Sequence, residues 1–172
     1  MRRIQVLMTL LLMTFAASSQ AALNAYAQLS VNGGDYLDGD VTLATIGGVD
    51  VSSGYFEILE IDQSLMAKAK SGPVIFQKRV DQATPAILEA IMEEAPVDGS
   101  ILIFDNDPVS GETRHRFTIS FLNAQIVASD TRLPDTFDAE EANRPVVEYV
   151  RMELTGYTFR DEENNTQYTV SF

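Results

Sequence analysis

Phe76-Gln-Lys78-Arg-Val-Asp81-Gln-Ala83-Thr84-Pro85-Ala-Ile-Leu88 is where the chain changes from one hydrophobic period to another. Just before it ends, Val74-Ile75-Phe76 reads as a strand that is apolar on both faces. Beyond it, Ile87, Leu88, Ile91, Met92 and Ala95 recur at helical spacings and make one apolar stripe. Thr84 supplies a hydroxyl to cap free N–H groups, and Pro85 suits the first helical position. Glu89, Glu93 and Glu94 lie away from the centre of the stripe, and Pro96 ends it. The stretch therefore predicts one helix over residues 85–95, fed by a strand. Phe76 is expected to fill the core beside Ile87 and Leu88, while Lys78 and Asp81 hold the strand-to-helix corner by an ion pair or backbone hydrogen bonds.

Outside this helix the chain reads as β. Phe117-Thr-Ile119-Ser-Phe121 alternates apolar and polar residues with period two, as do Val150, Met152 and Leu154 against Arg151 and Glu153. After Gly156 the apolar set moves to Tyr157 and Phe159, a slip of one residue that predicts a bulge near Thr155-Gly156. Ile101-Leu-Ile-Phe104 is apolar on both faces, which requires a cover on the second side or a subunit contact. Gly33-Gly34, Gly47-Gly48, Asp98-Gly99, Asp107 to Gly111 and Asn164-Asn165 separate the apolar runs and are read as turns. Asp105–Glu112 and Asp161–Asn165 are expected hairpin loops, and the acidic stretch Asp130–Asn143 a long solvated loop.

The chain has 172 residues, 45% hydrophobic and 22% charged, with a formal charge of −13. That length suits one domain and can bury a core without covalent staples. The absence of Cys excludes disulfides, zinc–thiolate sites, iron–sulfur clusters and a cysteine nucleophile. Such an acidic chain lacks the basic face that nucleic-acid binding needs, and an anionic membrane surface would repel it.

Met1-Arg2-Arg3, the apolar stretch Ile4–Ala17 and the small and polar residues Ser18-Ser19-Gln20-Ala21-Ala22 follow the order of a secretory signal peptide. The apolar run is shorter than the roughly 20 residues needed to span a bilayer. Cleavage between Ala21 and Ala22 is preferred over a cut after Ala27, which would remove the start of a strand marked by Tyr26, Leu29 and Val31. The expected organisation is a signal peptide at 1–21 and a single domain at 22–172, secreted or periplasmic. Its charge becomes −15 once Arg2 and Arg3 are lost.

Little in the chain suggests catalysis. His115, between Arg114 and Arg116, is the single His and is read as an exposed structural residue. Asp105-Asn106-Asp107 with Gly111-Glu112 has Ser110 and Arg116 where a calcium loop needs Gly and a bidentate Glu, so it is read as a turn. Glu89, Glu93 and Glu94 read as a solvated helix face, and the glycine pairs form no phosphate-binding motif. Asn164-Asn165-Thr166 is a glycosylation sequon that matters only in a glycosylating host. The expectation is no enzyme, no catalytic, cofactor-binding or metal site, and no cofactor.

The stretch from Phe76 to Pro85 resembles the F-x-K-x-x-D-x-[AS]-T-P segment of the Hcp family, the haemolysin-coregulated proteins of the type VI secretion tube. Ala27–Val31 with Gly33, Phe56–Ile61, Arg116–Val127 and Val146–Phe159 are similar to further strands of that family, so the likeness covers most of residues 25–172. The resemblance implies a compact antiparallel β-barrel with one helix packed on it. It also implies homohexameric rings that stack into a tube or carry effectors, contact with spike or effector proteins, and no catalysis. Ring formation would bury strands that are apolar on both faces. Two features depart from the family: the N-terminal export signal, and Met66–Gly72 in place of a glycine-rich extended loop through which rings meet. The alternative reading is a monomeric exported binding module that uses the same barrel to hold a protein or small-ligand partner.

Overall fold

The computed structural model describes residues 24–63, 72–135, 137–138 and 141–172. The signal peptide and residues 66–71 of the altered loop lie outside the described residues. In chain order the elements are β1 (Asn24–Val31), β2 (Thr45–Ile46), β3 (Val49–Asp50), β4 (Phe56–Gln63), β5 (Gly72–Arg79), α1 (Thr84–Met92), β6 (Pro96–Asn106), β7 (Thr113–Arg132), β8 (Val147–Leu154), β9 (Gly156–Asp161) and β10 (Thr166–Ser171). Antiparallel pairing in the order β7-β6-β1-β4-β5-β8, closed by β8 on β7, makes a six-strand barrel. Closure leaves these strands without a free edge.

Period-two alternation fills the barrel. Val74 and Phe76 of β5, Phe56 and Ile58 of β4, Ile101 of β6, Ile119 and Ile126 of β7, and Val150, Met152 and Leu154 of β8 all enter one core. The phase slip seen in the sequence has a topological cause. β8 and β9 run along the same side of β7, with Gln125 opposite Glu153 and Phe121 opposite Tyr157. Between them the ribbon forks: β8 pairs onward with β5, and β9 with β10. β7 bends at the same level, where Asn123 takes a φ of +53° and its N–H is held by the Asp98 carboxylate at 2.7 Å.

Both expected hairpin loops form, and Gly47-Gly48, with φ of +52° and +80°, closes the two-residue turn between β2 and β3. Asp98-Gly99 is not a turn; it lies inside β6 at a register shift. A β-carbon on Gly99 would meet the Gln28 carbonyl oxygen and lie 2.8 Å from Leu29 Cδ2, so glycine is there because β1 and β6 approach closely. Asp130–Arg132 also departs from expectation. These residues prolong β7, with Asp130 opposite Tyr149 and Arg132 opposite Val147, so the connecting loop starts only afterwards.

The helix runs from Thr84 to Met92 instead of over 85–95. Glu94 stops it by taking a φ of +51°, and Ala95 N–H then reaches the Ala90 carbonyl at 3.0 Å while Glu94 N–H reaches Ile91 at 3.3 Å. Its buried row is Thr84, Ile87 and Ala90. Leu88 is 46% exposed and Met92 84%, so neither belongs to the core expected for them. The Thr84 hydroxyl makes no capping bond; the buried carboxylate of Glu148 has claimed it.

The two strands that are apolar on both faces have different explanations. Ile101–Phe104 needs no second subunit. Leu102 and Phe104 join Tyr26, Ile46 and Val51 in a second small core, roofed by the excursion between β1 and β4. Tyr26 meets Phe104 edge-on with centroids 5.9 Å apart. Ile75, by contrast, points outward and is 36% exposed, with Leu59 of the neighbouring strand at 39%.

Candidate functional site: a buried ion network and two outer grooves

Lys78 is the centre of the most constrained chemistry in the chain. It follows Val74 and Phe76 in the inward phase of β5, and its Cα partner across the ladder is Glu148, which precedes Val150 in the inward phase of β8. Both side chains are fully buried, with Lys78 Nζ 2.8 Å from Glu148 Oε1. Nζ also donates to Asp81 Oδ1 at 2.6 Å and to the Arg79 carbonyl at 2.7 Å, so its three protons have three short acceptors. Glu148 Oε1 accepts from Thr84 at 2.5 Å, and Oε2 from Ser129 at 2.8 Å. Asp81 accepts the Ala83 N–H at 2.9 Å and, through Oδ2, the Asp40 N–H at 2.9 Å.

One network thus joins β5, the strand-to-helix corner, α1, β8, β7 and the segment after β1. The predicted Lys78–Asp81 pair exists, but it is half of a device whose other half is Glu148. That acid was legible as the one charge in the row Glu148, Val150, Met152, Leu154. The network ties β5, β8 and the start of the helix together and fixes where the helix leaves the strand.

The other residues singled out from the sequence are spread over the surface. His115 is half-buried and not exposed; its ring stacks on Phe104 at 5.0 Å, and Thr118 Oγ1 lies 3.0 Å from Nε2. Neighbouring hairpin tips bring its flanking arginines into an acidic cluster. Arg114 reaches Asp105 and Asp107 at 2.9 Å, and Arg116 reaches Asp161 at 2.9 Å as well as Glu163. Glu89, Glu93 and Glu94 are exposed on or just past α1.

Two carboxylates in the hairpin tips are held below their ordinary range. Ser110 and Val109 N–H groups, with Arg114 beside them, lower Asp107; the Asn164 side chain and backbone, with Arg116, lower Asp161. A depressed acid stabilises the fold above its unfolded pKa near 3.9 and loses that contribution as pH falls through the folded value. The tips should therefore hold at about pH 4 and loosen below it. Carboxyl resonances of Asp107 and Asp161 should titrate with midpoints below about 3.9, and midpoints at or above that value would contradict the hydrogen bonding described.

Two of the grooves among the described residues lie on the outer surface. One, of about 910 Å³, runs over β1, β6, β7, β9 and β10 and is lined by Gln28, Ser100, Ser120, Thr158, Thr169 and Tyr36 among others. The other, of about 430 Å³, lies over β5 and β8 under the loop that follows β7, and includes Leu59, Gln77, Arg132 and Tyr149.

A closed antiparallel barrel carrying one helix, tied to it through an inward lysine, defines the class of fold. Solved structures superpose on 86–88% of this chain. An Hcp protein superposes with a TM-score of 0.72 at 16% identity, covering 87% of this chain and 98% of its own. Hcp1 of Escherichia coli EAEC 042 gives 0.70 at 16% identity, covering 87% and 99%. The secreted protein Hcp3 of Pseudomonas aeruginosa gives 0.65 at 18% identity, covering 88% and 99%. A type VI secretion system effector from Yersinia pestis gives 0.59 at 13% identity, covering 86% and 98%. The chain has the Hcp fold. No family model and no curated relative matches its sequence.

Proposed function

We propose that the chain is an exported structural protein of the Hcp type, without catalytic activity, which assembles into homohexameric rings that stack into a tube or carry effectors. The observation that carries this reading is the extent of the likeness: 98–99% of each of three solved Hcp chains finds its counterpart here. Outward Ile75 and Leu59 supply part of the apolar surface that a ring would cover. Export through a signal peptide cut between Ala21 and Ala22 places the protein in the periplasm or outside the cell, in contact with spike or effector proteins of a secretion apparatus.

The ring is tested by electron microscopy of the exported protein at moderate salt, where repulsion between subunits of charge −13 or more is screened. Six-fold symmetric ring averages are expected; a field of single barrels at high protein concentration would overturn the reading. A second reading, a monomeric exported binding module, is favoured by the hydroxyl-lined groove of about 910 Å³.

A further inference from the structure

Among the described residues, cations are nearly all matched by carboxylates. Lys78, Arg79, Arg114, Arg116, Arg144, Arg151 and Arg160 each have an acidic partner. Among the described residues Arg132 is the exception: its guanidinium stacks on the Tyr149 ring at 4.6 Å and meets no described carboxylate. It stands in the smaller groove together with Arg144, which is 66% exposed and holds Glu141 only at 3.4 Å. The groove also carries Glu141, the partner of Arg144, and otherwise apolar or neutral residues, among them Leu59 (39% exposed), Leu133 (77% exposed), Gln77 and Tyr149. On a chain of charge −13 this partly apolar cleft holds two arginines to one glutamate, and its surplus positive charge is that of Arg132.

The complementary surface is on α1. Leu88 and Met92 form an exposed apolar row, and Glu89 and Glu93 an exposed acidic row beside it. Each pair is spaced four residues, about 6 Å along the helix axis. No basic residue lies in the last turn of the helix, and no described cation pairs with Glu89 or Glu93. Groove and ridge belong to different elements. The groove lies on the outward side of β5 and β8, where Gln77 donates to the Tyr149 hydroxyl at 2.6 Å, whereas the inward neighbours Lys78 and Glu148 tie the helix start.

Resting on the self-assembly reading above, we propose that the groove over β5 and β8 receives the exposed face of α1 from a second copy of this chain. Arg132 and Arg144 face Glu89 and Glu93, and Leu59 and Leu133 cover Leu88 and Met92. The contact uses a different surface on each partner, so it is heterologous and propagates head to tail until a ring closes. Charge complementarity fixes its direction, because groove against groove and ridge against ridge both repel.

Charge reversal tests the contact, read as mass by sedimentation of the exported protein at moderate salt. Arg132→Glu with Arg144→Glu should weaken self-association by about 100-fold or more, since like charges then face each other. Glu89→Arg with Glu93→Arg should do the same. The protein carrying all four substitutions should assemble again, because the signs are complementary once more. All four side chains are exposed, and unchanged melting midpoints establish that each variant is folded. A native protein that is itself monomeric overturns the assembly reading and this contact with it. A native assembly that both reversals leave intact, or a fourfold variant no better than either pair, overturns the contact alone and assigns the groove to another occupant.

Discussion

Lys78→Met is expected to destabilise the protein by about 3–5 kcal/mol, the range for removing one partner of a buried ion pair. Methionine keeps most of the aliphatic volume beside Phe76 but leaves the Glu148 and Asp81 carboxylates inside the protein without their shared cation. Against a total stability of roughly 5–15 kcal/mol, that change consumes a large share. The denaturant midpoint should fall with little change in m-value, because the native surface is the same. Adding Glu148→Gln to Lys78→Met should restore part of the loss. The amide removes a buried negative charge while keeping an acceptor for Thr84 and Ser129. Lys78→Arg should not rescue, because a planar fork cannot reproduce three convergent bonds from one nitrogen. A loss below about 1 kcal/mol for Lys78→Met would place the pair in the class of solvated surface bridges and contradict the buried network.

Gly99→Ala should cost about 3 kcal/mol, at the upper end for overpacking, because the obstacle is backbone and not the end of a flexible side chain. The added carbon meets the Gln28 carbonyl and lies 2.8 Å from Leu29 Cδ2, so β1 must withdraw from β6. Gly111→Ala is the internal control. Gly111 has a φ of +74° and nothing within 4 Å, so only left-handed backbone strain of about 1 kcal/mol is expected there. Equal losses at the two positions, measured by chemical denaturation, would show that close approach of the strands is not what selects glycine at position 99.

The contrast between these glycines reflects what was legible in advance. The strand-to-helix corner, the inward phases of β7 and β8, the slip at Thr155-Gly156 and both hairpin loops follow from local period and turn chemistry, which act over a few residues. Gly99 was misread as a turn because the reason for it is Gln28, a partner far away in sequence. The same holds for Leu88: helical spacing defines an apolar arc from Ile87 to Met92, but only the barrel decides which part of that arc is covered. His115 was read as exposed, and Ile101–Phe104 was left between a cover on the second side and a subunit contact, for one shared reason. The roof over both is the second small core and the β2–β3 excursion, whose short strands carry little pattern of their own. At the ion network Lys78 and Asp81 lie three residues apart and were visible together, whereas Glu148 becomes their neighbour only through the β5–β8 register.

The structural role proposed for this barrel depends on its self-assembly. Light scattering after size exclusion, on the exported protein at low and at moderate salt, measures it directly through the molar mass. Self-assembly predicts a mass of six subunits at moderate salt, falling at low salt as repulsion between strongly acidic subunits is unmasked. A mass of one subunit at both salt concentrations and at high protein concentration would contradict it.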